Sequence, residues 1–134
     1  MSVSEKINDY LTEAKVYYLC TEDGKQPKCR PMGFHKLEND TVYFGIGTFK
    51  DCYKQMVENP LVEIVACKGG GWLRVYGKAV FEADTKIADA VIAASPMLSK
   101  IYNDETGYKF GVFHLEEATA EFRGMMDIQE SYNF

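Results

Sequence analysis

The sequence predicts a mainly β domain: an antiparallel sheet of about six strands, interrupted by short helices and closed as a small barrel. Three observations carry this. Runs dense in strand-forming residues recur at 16–21, 41–46 and 61–67. Turn signals separate the strands, namely Asp23-Gly24, Glu38-Asn39-Asp40 and Gly69-Gly70-Gly71, and tight turns make neighbouring strands antiparallel. The chain has only 134 residues, so 1–134 is a single domain. A sheet this long in so short a chain closes best on itself, which removes its edges.

Each element follows in order. Ser2 and Glu5 fit a capping box, and Val3, Ile7, Tyr10, Leu11 and Ala14 recur at helical spacing, giving a first helix to about Ala14. Residues 16–21 form a strand that turns at Asp23-Gly24. The run 26–37 carries Pro27 and Pro31, so it is an edge strand or an interrupted one. Residues 41–46 form the next strand. Residues 50–58 read as a short helix with Tyr53, Met56 and Val57 on one side, stopped by Asn59-Pro60. Residues 61–67 and 72–82 are strands joined at the three glycines. Residues 85–94 are helical, and Ser95-Pro96 opens another short helix. Residues 109–115 and 118–124 are expected as two closing strands with Glu116-Glu117 as their turn, followed by a ten-residue tail.

Composition narrows the function. Apolar residues make up 46% and charged residues 26%, an ordinary globular balance. Lys plus Arg number 15 against 20 Asp plus Glu, a net charge of −5, which argues against nucleic acid and membrane as partners. An anionic ligand would have to be held by a local cationic site. Cys20, Cys29, Cys52 and Cys67 form no C-x-x-C pair and have only His35 and His114 to assist them, so no metal site is expected. The polar, amphipathic start has no apolar signal-peptide core, so reduced thiols and a cytoplasmic location are expected.

Three segments are unusual for structure alone. In Lys28-Cys29-Arg30-Pro31-Met32-Gly33-Phe34-His35, an arginine beside a partly unpaired backbone suits phosphate, which a guanidinium can bind bidentately. The plain alternative is a surface arginine on an edge strand. In Gly45-Ile46-Gly47-Thr48-Phe49-Lys50, a strand runs into a helix start, where free N–H groups and the helix dipole favour an anion. Thr48 adds a hydroxyl and Lys50 a charge, with Lys54 one turn on. The alternative is an ordinary turn capped by Thr48. Trp72, after three glycines, either plugs a barrel end or borders a flat ligand. His114 reads as a structural histidine. No nucleophile lies at a readable spacing from His35, and no residue is nominated as general acid or base.

The order of these segments resembles the pyridoxamine 5′-phosphate oxidase-like flavoproteins, whose fold is the FMN-binding split barrel. The carrying residues are the strand at Tyr17-Tyr18-Leu19, Arg30-Pro31-Met32-Gly33-Phe34, Thr48-Phe49-Lys50, the helix ending at Asn59-Pro60, and Trp72 followed by Gly77-Lys78-Ala79. The likeness runs through nearly the whole chain and looks closest to short, single-domain members of the nitroimidazole-resistance or general-stress type. It implies a homodimer with FMN at the subunit interface. Arg30 would hold the phosphate, and Pro31, Met32 and Gly33 would lie along the flavin. Gly45, Ile46 and Thr48 would form the turn, Lys50 would be the second cation, and Trp72 would reach the flavin from the partner subunit.

The resemblance further implies an FMN-dependent oxidoreductase of small molecules such as nitro-aromatics or quinones, drawing electrons from a reduced nicotinamide nucleotide or another carrier. The alternative is a non-enzymatic module that binds or stores flavin or haem, with His35 or His114 as axial ligand. Two departures weigh against pyridoxamine phosphate oxidation itself. Asp51-Cys52 stands where the oxidase carries a basic pair, and the last segment, 122–134, holds one Arg and no His.

Overall fold

The computed structural model describes all residues, 1–134. Helix α1 spans Val3–Ala14 and begins with the anticipated capping box. The Ser2 N–H donates to Glu5 Oε2 at 2.8 Å, and the Glu5 N–H donates to Ser2 Oγ at 3.1 Å. Its apolar face buries Ile7 and Leu11 in the core.

Strands β1 (Tyr17–Asp23) and β2 (Gln26–Met32) form a hairpin whose two-residue turn is Gly24-Lys25. Gly24 takes φ +62°, a left-handed conformation that favours glycine. Asp23 pairs with Gln26 across the turn, so hydrogen-bonded and non-hydrogen-bonded pairs alternate from there. Pro27, Cys29 and Pro31 fall at the non-hydrogen-bonded positions, with their backbone nitrogens directed off the sheet. The two prolines thus leave no ladder bond unmade, and the outer edge of β2 offers a single N–H, that of Cys29.

The chain continues through β3 (His35–Glu38), β4 (Thr41–Gly47), α2 (Asp51–Glu58), β5 (Leu61–Lys68) and β6 (Gly71–Phe81). Helices α3 (Lys86–Ala94) and α4 (Pro96–Ile101) follow, with Pro96 in the first turn of α4 and Ser95 Oγ accepting from the Leu98 N–H at 3.3 Å. The chain closes with β7 (Phe110–Arg123) and β8 (Ile128–Asn133).

All the pairings are antiparallel, and the sheet runs in the order β2-β1-β5-β6-β7-β4-β3 with β8 beside β7. Its two ends, β2 and β3, are joined only by Gly33-Phe34, so the sheet must curl back on itself. The Tyr17 hydroxyl donates to the Phe34 carbonyl at 2.5 Å and holds this link against β1. Residues on the concave face of the sheet, among them Leu19, Ile64, Leu73, Val75 and Ala120, are essentially inaccessible to solvent and form one core with α1 and α2.

Three expectations need correction. The two closing strands are one 14-residue strand, β7, and Glu116-Glu117 is a bulge within it. The register slips between Tyr76 and Lys78, and Glu117 takes φ +48° to absorb the extra residue. Gly77 faces this bulge, where a Cβ would lie 2.7 Å from that of Ala118. The supposed tail is strand β8, which pairs with β7 beyond the point where β4 stops. Ala118 and Phe134 exchange both backbone bonds, at 2.7 and 2.9 Å. The sheet therefore has eight strands rather than about six.

Candidate functional site

The first turn of α2 faces the concave side of β2. Between them lies a cleft of about 330 Å³ lined by Lys28, Arg30, Pro31, Met32, Ile46, Lys50, Asp51, Cys52 and Gln55. Five of the residues singled out from the sequence (Arg30, Pro31, Met32, Ile46 and Lys50) meet there.

Arg30 is held before any ligand arrives. Its Nη1 donates to the Leu19 carbonyl at 3.0 Å and to Thr21 Oγ1 at 2.9 Å, and its Nη2 donates to Gln55 Oε1 at 3.4 Å. Of the five guanidinium N–H donors these bonds engage three, leaving one on Nη2 and the Nε–H. The start of α2 supplies more donors. Lys50 is the N-cap but its side chain caps nothing. Its own N–H bonds to Gly47 and that of Tyr53 to Lys50, while the N–H groups of Asp51 and Cys52 have no acceptor in the chain. The arrangement combines two free amides, a positive dipole end, two spare Arg30 donors and the Lys50 ammonium.

The local field is positive despite the acidic chain. Burial pushes the Cys52 thiol above its ordinary range, and the charges of Arg30 and Lys50 oppose that rise. Asp51 is the one acid in the cleft, and Lys28 is drawn to Asp23 at 2.9 Å.

The other candidates lie elsewhere. A Cβ on Gly45 would come within 2.1 Å of the Phe110 ring, so this glycine makes room for an aromatic packed on Phe34 and Tyr102. The Thr48 N–H and hydroxyl both turn to the Lys109 carbonyl, at 2.9 and 3.4 Å, so Thr48 ties the turn to the segment before β7 rather than capping α2. Gly33 sits in the link to β3, with open space where a Cβ would be. Lys54 borders a separate hollow with Glu22, Asp23 and Glu58. Trp72 lies on the convex face of the sheet, between the guanidinium groups of Arg74 and Arg123, each 4.8 Å from its rings. Arg30 is on the concave face, so within one chain the two do not flank the same ligand.

Neither histidine borders the cleft. His35 Nδ1 meets Asn8 Oδ1 at 2.7 Å, and burial lowers its pKa. Both ring nitrogens of His114 are engaged, by Glu82 and by Glu116 at 2.7 Å each. A second cavity of about 320 Å³ between α1 and β4 is mostly apolar, with Asp40 at its wall and no Lys or Arg, so it does not suit a phosphate.

Sequence reasoning missed Gln55, which links Arg30 to Thr21. Its signal was its place one turn after Asp51 on the same side of a short helix.

No family model matches the chain, and no curated protein does. Solved structures do. A NimC/NimA family protein from Clostridium acetobutylicum is 27% identical, with a TM-score of 0.86 over 100% of this chain and 95% of that one. A pyridoxamine 5′-phosphate oxidase-related, FMN-binding protein from Nostoc punctiforme is 14% identical, with a TM-score of 0.60 over 100% and 97% of the two chains. A haem-binding protein from Mycobacterium smegmatis is 14% identical, with a TM-score of 0.69 over 99% of this chain and 58% of that one. No helix here is long and apolar enough to cross a membrane. The chain has the FMN-binding split-barrel fold and resembles the pyridoxamine 5′-phosphate oxidase-like proteins along its whole length.

Proposed function

We propose that the chain binds FMN with its phosphate between Arg30 and the start of α2. The carrying observation is that Arg30, with two donors unspent, shares a cleft with the acceptor-less N–H groups of Asp51 and Cys52. Charge-assisted bonds contribute about 1.5–3 kcal/mol each. Arg30, Lys50 and two amides together support micromolar or tighter binding. Pro31 and Met32 continue along β2 away from the phosphate, with Gly33 just beyond its end, and would border the ring system, with Ile46 supplying an apolar wall and Thr48 holding the turn behind it.

The working unit is a homodimer. Trp72, Leu61 and Tyr76 project from the convex face, where Leu61 and Tyr76 are 64% and 40% exposed. A side chain on that face reaches a cleft only in a second copy. Arg74 Nε on the same face is buried without a well-directed acceptor, although Glu63 Oε1 is 3.2 Å away.

Bound FMN supplies the electron transfer, and the protein's part is to hold and orient it. The reading is an FMN-dependent reductase of small molecules such as nitro-aromatics or quinones, working in the cytoplasm. Haem is the competing occupant. It would have to use the free Nε2 of His35, because both nitrogens of His114 are already bonded.

The test is a titration of the full chain with FMN and, separately, with riboflavin, followed by flavin fluorescence. FMN should bind at least tenfold more tightly, because riboflavin lacks the phosphate. Equal affinities would place the anion elsewhere, and haem uptake with a Soret band and no flavin binding would favour the competitor. NAD(P)H bleaching of the bound flavin, with reoxidation by a quinone, would support the reductase.

A further inference from the structure

The β1–β2 hairpin carries a pair of groups that flavin binding does not use. Cys20 and Cys29 are direct cross-strand partners, with Sγ atoms 3.2 Å apart. Counting from the Asp23–Gln26 closing pair, they occupy a non-hydrogen-bonded position. Cα atoms approach to about 4.5 Å at such positions, inside the range that a disulfide spans. Closing the S–S bond needs the sulfurs to move together by about 1.2 Å. Cys29 is exposed on the edge strand and Cys20 is partly covered.

We propose that Cys20 and Cys29 are a reversible dithiol–disulfide couple that clamps the edge hairpin. The oxidant is a low-molecular-weight disulfide. The exposed Cys29 attacks it as the thiolate, forming a mixed disulfide and releasing one thiol. Cys20 then gives up its proton and attacks the Cys29 sulfur, expelling the second thiol. Two protein thiols and one small disulfide become one protein disulfide and two small thiols, so atoms and electrons balance. The order follows from exposure. It agrees with the pKa of Cys20, pushed up to about 12 by burial and by the neighbouring Cys29 sulfur. Cys29 precedes Arg30, and Cys20 lies between Leu19 and Thr21, which both accept bonds from Arg30. The clamp would fix the register that presents Arg30 to the cleft, whatever the cleft holds.

The test uses the full-length Cys67→Ser protein, which removes the other exposed thiol, incubated with oxidised glutathione. The expected product is a monomer-internal Cys20–Cys29 link, seen by peptide mapping as the loss of two hydrogens, with a raised melting temperature that dithiothreitol reverses. Cys20→Ser should stop at glutathionylated Cys29, and Cys29→Ser should react far more slowly at Cys20. Mixed disulfides alone in the Cys67→Ser parent, or links only between chains, would overturn the couple. A link formed with no change in melting temperature would overturn the clamp.

Discussion

Arg30 Nη1 lies 2.9 Å from Thr21 Oγ1, and the same hydroxyl donates to Gln55 Oε1 at 2.7 Å. Thr21 is 3% exposed and is the buried polar residue on which β1, β2 and α2 converge. Replacing its hydroxyl by a methyl in Thr21→Val leaves the volume nearly unchanged and strips both neighbours of a partner. The loss should be about 1–2 kcal/mol of stability by urea denaturation. FMN affinity should fall with it, because the guanidinium loses one of its fixed bonds. Unchanged affinity in a destabilised protein would mean that Leu19 and Gln55 suffice to hold it.

Arg30→Ala should weaken FMN by about 1.5–3 kcal/mol, roughly 10- to 150-fold. Riboflavin is the control: its affinity should change several-fold less. Equal losses for both ligands would show that Arg30 acts on the ring system or on folding, not on the phosphate. Lys50→Ala should give a smaller loss, and one that shrinks with added salt, since an exposed ammonium is screened.

Gly45→Ala tests whether a residue drawn from the sequence as part of the site serves packing instead. Its Cβ would overlap the Phe110 ring at 2.1 Å. Overpacking of this kind costs about 1–3 kcal/mol. In a Phe110→Leu background the same change should cost much less, a coupling that a double-mutant cycle in urea would read directly. Additive costs would remove the contact as the cause.

How much was legible follows from which interactions are local. The α1 capping box and the Asn59-Pro60 stop each depend on a few neighbouring residues and stand as read, and the hairpin turn signalled by Asp23-Gly24 is present one residue on, at Gly24-Lys25. The meeting of Arg30, Ile46 and Lys50 came from the order of segments that resembles the split-barrel proteins; the residues alone gave an arginine beside a proline and, separately, a strand-to-helix turn whose amides suit an anion. What was not legible depends on distant partners. Gly45 is glycine because of Phe110, 65 residues later, and nothing near it says so. Strand β8 is polar and mostly exposed, so it carries no strand pattern, and only the free half of β7 recruits it. The bulge at Glu117 looks like a turn because a positive φ and two acids in a row are turn chemistry too.

His35 predicts a stability change on mild acidification. Burial lowers its pKa in the folded protein. As pH falls through about 6.5 the unfolded chain takes up a proton that the folded chain refuses until lower pH, so stability drops across that window. His35→Gln does not titrate and keeps an amide to meet Asn8. The urea midpoint of the parent should fall more than that of the variant between about pH 7.5 and pH 5.5. The carboxylates common to both proteins cancel in this difference. Parallel slopes would show that His35 charges freely in the fold.

Glu117 is a residue whose replacement should stabilise the fold. It holds φ +48° in the bulge, where any side chain with a Cβ crowds its own backbone. Glu117→Gly removes that crowding, worth about 1–2 kcal/mol, but gives the unfolded chain more freedom, which returns up to about 1 kcal/mol. The net gain should be about 0.5–1 kcal/mol, or roughly 2–6 °C in melting temperature. Two companions separate backbone from charge. Glu117→Ala keeps the Cβ and loses the carboxylate, and should sit near the parent. Glu117→Val adds a β-branch at positive φ and should be clearly less stable. A gain in the alanine variant equal to that of glycine would mean that repulsion from Glu116, not the backbone, is what the bulge stores.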